Sequence, residues 1–238
     1  ESIKKVDKIF GPGNKYVAEA KRQVYGIVGI DSITGPSEVM IIADESANPE
    51  FIAADLLAQA EHGMDSSCFL VLIKKGIKEN INEALQRQLS SLARSEIAKK
   101  SLNDFSFAIE VDNLKEAEKV CNVVHPEHLQ ISLDNLDNVT KENFSAGAIF
   151  IGSSNSAVFG DYCAGPSHVI PTNGASRFSS QVNLNDFFVT SSYSILSENH
   201  DTEELQKVID NSIQIAKLEG LFAHSEALKL RKENKKTN

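Results

Sequence analysis

The chain has 238 residues, 41% of them apolar, and carries a net charge of −9. That length and composition suffice for a buried core, and the lack of a basic stripe interleaved with aromatics argues against nucleic-acid binding. No stretch approaches eighteen consecutive apolar residues and no charged-then-apolar segment opens the chain. The sequence therefore supports neither a membrane span nor a secretory signal, and a cytoplasmic protein is expected. Cys68, Cys121 and Cys163 are odd in number and lack CxxC spacing, which argues against a disulfide framework and a Cys-rich zinc site. Reduced, mostly buried thiols are expected.

Taken in chain order, Val6 to Phe10 alternates as a strand and runs into Gly11-Pro12-Gly13-Asn14, after which Lys15 to Tyr25 has helical spacing. The loop lacks GxGxxG and GxxxxGK[ST], so on its own it reads as a turn with a helix N-cap. Val39 to Ala43 is a β-branched strand and Pro49 to His62 a helix. Cys68 to Ile73 is a nearly continuous apolar strand that suits a buried parallel position. Ile77 to Lys99 reads as one long amphipathic helix, Phe105 to Val111 as a strand, and Leu114 to Val124 as a helix. Leu129 to Ile131 and Ala146 to Ile151 are strands. This alternation predicts an α/β layered sheet with helices on both faces. After Phe178 the pattern changes: Gln181 to Asp186 is loop-like, Phe188 to Ile195 extended, and two helices, Thr202 to Lys217 and Phe222 to Arg231, flank Gly220. That tail is too small for its own core and should pack on something else.

Leu57-Ala58-Gln59-Ala60-Glu61-His62-Gly63 places an amide and an imidazole three residues apart, hence on one helix face, with a glycine suited to a helix end. The spacing fits half of a metal site, but taken alone the signal is weak, since Gln is an uncommon ligand and a lone His is usually a hydrogen-bonded surface or core residue. His125-Pro126-Glu127-His128 should hold His125 extended before the proline. Glu127 and His128 then reach one site only if the chain turns there. Taken singly, Ser37 reads as a turn cap, Asp161 as a turn or cap residue, and Glu219 and His224 as solvated helix residues.

Several segments together carry a family resemblance: GPGNKYVAEAKRQVYGIVGID from Gly11, TGPSEVMIIAD from Thr34, DLLAQAEHG from Asp55, HPEHLQI from His125, SAGAIFIG from Ser145, GDYCAGPSHVIPTNGASRF from Gly160 and EGLFAH from Glu219. In content, order and approximate spacing they resemble histidinol dehydrogenase, from about residue 7 to about residue 228. The resemblance implies one zinc ion held by Gln59, His62, Asp161 and His224, with histidinol completing its coordination. It implies His128 as general base toward the substrate hydroxyl and Glu127 as activator of the water or hydrate in a second oxidation. Ser37 and Glu219 match substrate-binding positions, His168 matches a histidine near the site, and Asn14 matches the NAD side. The implied reaction is the two-step, NAD-linked oxidation of histidinol through the aldehyde to histidine.

The same resemblance implies an incomplete Rossmann-like sheet with a small C-terminal helical module. Residues 1–36 would close a dinucleotide-fold-like domain, 37–180 would form the zinc and substrate domain, and 181–238 would be a helical module exchanged within a homodimer. Proteins of this family are roughly twice as long, so the chain corresponds to their later half and is expected to have little dehydrogenase activity by itself. Two other readings are a zinc-binding fragment without cofactor binding and a metal-dependent hydrolase using Glu127 as base.

Overall fold

A computed structural model describes residues 3–74, 76–195 and 202–234. The chain divides into two compact units, Glu1–Phe188 and Val189–Asn238. The first opens with β1 (Lys8–Ile9), α1 (Lys15–Val24) and β2 (Gly29–Ile30), the two short strands pairing in parallel. A buried ion pair, Lys21 Nζ to Asp31 Oδ1 at 2.6 Å, fastens this unit. Lys21 also donates to the Gly11 carbonyl, and Asp31 accepts from the Gly11 N–H at 2.7 Å. The loop leading to Asn14 is thus fixed by both polar groups of one peptide residue. Asn14 is the N-cap of α1, its side chain accepting from the N–H groups of Tyr16 and Val17.

The main sheet is built from β3 (Glu38–Ala43), α2 (Pro49–Ala60), β4 (Ser67–Ile73), α3 (Lys78–Ser91), α4 (Ser95–Asp104), β5 (Phe107–Val111), α5 (Leu114–Val124), β6 (His128–Ser132), β7 (Ala148–Ile151) and α6 (Ala157–Tyr162). Its order is β5-β4-β3-β6-β7, and every pairing is parallel. Alternation along β3 explains the layers. Val39, Ile41 and Ala43 point into a core shared with Ile52, Leu56 and Leu57 of α2, Ile81 of α3 and Ala98 of α4. Met40 and Ile42 point the other way, toward Ala117 and Cys121 of α5. Each large aliphatic side chain buried in these layers contributes about 1.5–3 kcal/mol. The α/β sheet with helices on both faces is the one expected from the alternation of elements.

Two local expectations are corrected. The stretch from Ile77 to Lys99 is two helices: Leu92 is extended, with φ −76° and ψ 128°, and the chain restarts at Ser95. The break lets α3 and α4 both pack against α2, which one straight helix cannot do. His125 is left-handed, with φ 51° and ψ 59°, where an extended backbone was expected. It caps α5, donating its N–H to the Cys121 carbonyl at 2.7 Å, and this helix-ending role overrides the preference of a residue before proline. The resulting turn aims the chain into β6.

Burial pushes the thiols of Cys68 and Cys121 up to about 12, which keeps them protonated, whereas Cys163 is exposed. In the second unit, α7 (Glu203–Leu218) and α8 (Phe222–Asn234) pack on each other across Gly220, which has φ 74°. Among the described residues no helix is long and apolar enough to cross a membrane.

Candidate active site

In a parallel α/β sheet the helices run back against the strands, so their C-termini reach the edge where the strands begin. At this edge α2 ends at Ala60, two residues before the expected boundary, and the His62 N–H closes the turn on the Gln59 carbonyl at 3.2 Å. Gly63 has no left-handed φ, so it is not the expected glycine cap. Gln59 and His62 nevertheless line one cavity. It has a volume of about 230 Å³ and is also lined by Ser37, Glu127, His128, Asp161 and His168. Ligands of open α/β sheets more often bind beyond the carboxyl ends of the strands. Here the cavity lies at the amino ends of β3 and β6.

Strand register explains how Glu127 and His128 get there together. Val39 pairs with His128, so Glu38 and Glu127 are neighbours just before it. The Glu127 carboxylate accepts the Glu38 N–H at 2.9 Å, and the Glu38 carboxylate accepts the Glu127 N–H at 3.3 Å. His128 Nδ1 lies 3.1 Å from the Glu38 carbonyl oxygen. A carbonyl only accepts, so Nδ1 carries the proton and Nε2 is left as an acceptor. That Nε2 is buried and has no hydrogen-bond partner.

Electrostatics divide these groups. Burial lowers the pKa of His128 from its ordinary 6.5, opposed by the bond to Glu38, so the ring is neutral at pH 7. Burial pushes Glu127 up to about 8; the Glu38 N–H pulls the other way, and the charges of Glu38 and Asp161 push further up. Glu38, overlooked in the sequence, is also raised by burial, against bonds from the Glu127 and Asn173 N–H groups. Its only sequence signal is an acidic residue opening a wholly buried strand.

Asp161 reaches the cavity on α6, a helix the apolar pattern did not reveal. Ser156 caps α6 and donates its hydroxyl to Asp55 Oδ1 at 2.7 Å, while Gln130 Nε2 donates to Asp55 Oδ2 at 2.6 Å. Gln130 Oε1 accepts the Ala157 N–H at 3.2 Å. Asp55 thereby links α2, β6 and α6, the elements that present Gln59, His128 and Asp161. Gly160 lets α6 lie against Phe150, since a Cβ there would sit 2.6 Å from the ring.

The donor set around the cavity suits a cation. Gln59 is buried with its Nε2 unpartnered, and a half-turn of the amide exchanges that atom for the carbonyl oxygen. An amide oxygen, an imidazole and a carboxylate form a mixed O and N set, and the negative end of the α2 dipole adds to it. Among the described residues no three of His, Cys, Asp and Glu are grouped to hold a metal. Glu219, the C-cap of α7, and His224 on α8 are exposed residues of the second unit. Asn14 lines a neighbouring cavity of about 650 Å³ that shares Gly13, Thr34, Gly35, Ser37 and His62 with the first.

The family model of histidinol dehydrogenase matches residues 1–232. This chain belongs to the histidinol dehydrogenase family. It is 46% identical over 97% of its length to a histidinol dehydrogenase from Clostridium acetobutylicum, and 44% identical over 99% to one from Bacillus cereus. The crystal structure of histidinol dehydrogenase from Elizabethkingia anophelis superposes with a TM-score of 0.88 at 38% identity, covering 98% of this chain. The chain spans about half of each of these relatives: 53%, 54% and 53% of their lengths.

Proposed function

We propose that this chain carries the zinc and substrate site of a histidinol dehydrogenase, which oxidises histidinol to the aldehyde and then to histidine with two molecules of NAD. The observation that carries the reading is the meeting of Ser37, Gln59, His62, Glu127, His128 and Asp161 on one cavity, in a chain of this family. Gln59, His62 and Asp161, with His224, would hold zinc, which when bound anchors the substrate's imidazole and amino nitrogens. NAD supplies the hydride acceptor, and Asn14 lies on its side of the site. Ser37, Glu219 and His168 contact substrate.

The neutral His128, with Nε2 facing the cavity, takes the hydroxyl proton as hydride leaves the carbinol carbon. Water adds to the resulting aldehyde. Glu127, ionised when a cation lies beside it, accepts a proton from that water or hydrate as the second hydride departs. Holding the aldehyde between steps would protect a reactive intermediate. Residues 1–36 would close a dinucleotide-fold-like domain, 37–180 would carry zinc and substrate, and 181–238 would be exchanged between subunits of a cytoplasmic homodimer.

The test is stoichiometry in a polypeptide of the relatives' full length that carries this chain. One zinc per chain and two NADH per histidinol consumed are expected. Zinc binding without histidinol-dependent NADH would leave a binding module, and hydrolysis of an ester or amide with no NADH would point to the hydrolase.

A further inference from the structure

The acidic residue that opens β3 lies behind the site and is not among the residues lining the cavity. Glu38 is 8% exposed and Glu127 6%, so two carboxyl groups are buried side by side. Packing alone does not call for this: an apolar side chain would fill the space without the desolvation cost and the repulsion between like charges. The Glu38 carboxylate is instead spent on backbone, accepting from the N–H of Glu127 at 3.3 Å and from the N–H of Asn173. The Glu127 carboxylate answers by accepting the Glu38 N–H at 2.9 Å.

We propose that Glu38 is the positioning residue for Glu127, fixing the peptide from which the Glu127 carboxyl enters the cavity. This rests on the role given to Glu127 in the second oxidation. Glu38 serves the two catalytic groups through different atoms. Its side chain fixes Glu127, whereas its main-chain carbonyl orients His128. Truncating the side chain therefore releases the Glu127 peptide and the Asn173 loop while the bond to His128 Nδ1 stays. The two oxidations separate accordingly: alcohol oxidation, which uses His128, keeps its base in place, and aldehyde oxidation, which uses Glu127, loses the alignment of its own.

The experiment compares Glu38→Ala, Glu38→Gln and Glu127→Gln in a polypeptide of the relatives' full length, supplying histidinol or the aldehyde and measuring kcat and KM for each. In Glu38→Ala the kcat for aldehyde oxidation is expected to fall up to about a hundredfold further than that for alcohol oxidation, the scale of a catalytic group misplaced by about 1 Å, with KM little changed. Glu38→Gln keeps one side-chain oxygen that can accept the Glu127 N–H, so its loss should fall on the same half-reaction and be smaller. If Glu38→Ala does not fold, selective loss in Glu38→Gln carries the test. Equal losses in both half-reactions, or none, while Glu127→Gln remains selective, would overturn the positioning role and leave the function intact. A Glu127→Gln variant without selectivity would instead overturn the role of Glu127, and this proposal with it.

Discussion

In a polypeptide of the relatives' full length, His128→Asn is expected to slow alcohol oxidation by on the order of a hundredfold or more, the usual share of a positioned general base. Glu127→Gln should spare that step and slow aldehyde oxidation on a similar scale. The prediction follows from the different settings of two adjacent residues. His128 has its Nδ1 proton held by the Glu38 carbonyl and a bare Nε2, a base in the right tautomer. Glu127 is a buried carboxyl beside two other acidic groups. The sign of the pH dependence follows from His128. Burial lowers its pKa, and only the neutral ring accepts a proton, so the rate should fall as pH drops through a value below 6.5. That limb should vanish in His128→Asn. Rate measurements with each substrate across pH 5 to 9 check both statements; equal damage to the two half-reactions by both variants would show that the division of labour is wrong.

The second large effect concerns the metal. His62→Ala and Asp161→Asn are each expected to weaken zinc binding by at least about a hundredfold, since loss of an outer-shell partner alone costs roughly 10–100-fold. Asp55→Ala should act in the same direction and more weakly. Asp55 does not line the cavity of about 230 Å³, but through Ser156 and Gln130 it sets where α6 places Asp161 relative to α2. Competition with a chromophoric chelator measures all three, with the unfolding transition followed in parallel. Unchanged zinc affinity in His62→Ala, with the fold intact, would remove His62 from the ligand set.

Much of the sheet was legible because its strands are marked by local chemistry. The run from Cys68 to Ile73 is apolar on both faces, and it forms the buried parallel strand β4, flanked by β3 and β5. The helix from Leu114 to Val124 has its expected bounds, with the Asn113 side chain as a cap. What failed depended on tertiary partners. Nothing local in Leu92-Ala93-Arg94 separates a helix break from a helix interior, since the break is set by how α3 and α4 meet α2. The six residues of α6 are too few for a periodic signal, and its cap is fixed by Asp55, 101 residues earlier in the chain.

The candidate site divides in the same way. The family motifs named the cavity residues, but they did not reveal that His125 turns left-handed to deliver Glu127 and His128, or that Glu38 stands behind them. Glu38 and Glu127 are 89 residues apart, and only the β3–β6 register makes them neighbours. A lone glutamate in TGPSEVMIIAD otherwise reads as a solvated strand end.

The central claim is that the cavity at the amino edge of the sheet holds zinc together with substrate. Diffraction at the zinc absorption edge, from crystals of the zinc-loaded full-length enzyme with histidinol, tests this most directly. The expected result is one anomalous peak about 2.0–2.2 Å from a side-chain oxygen or nitrogen of Gln59, His62 and Asp161, with His128 Nε2 facing the substrate hydroxyl. A peak elsewhere, or zinc bound by Glu127 and His128 in place of those three residues, would contradict it.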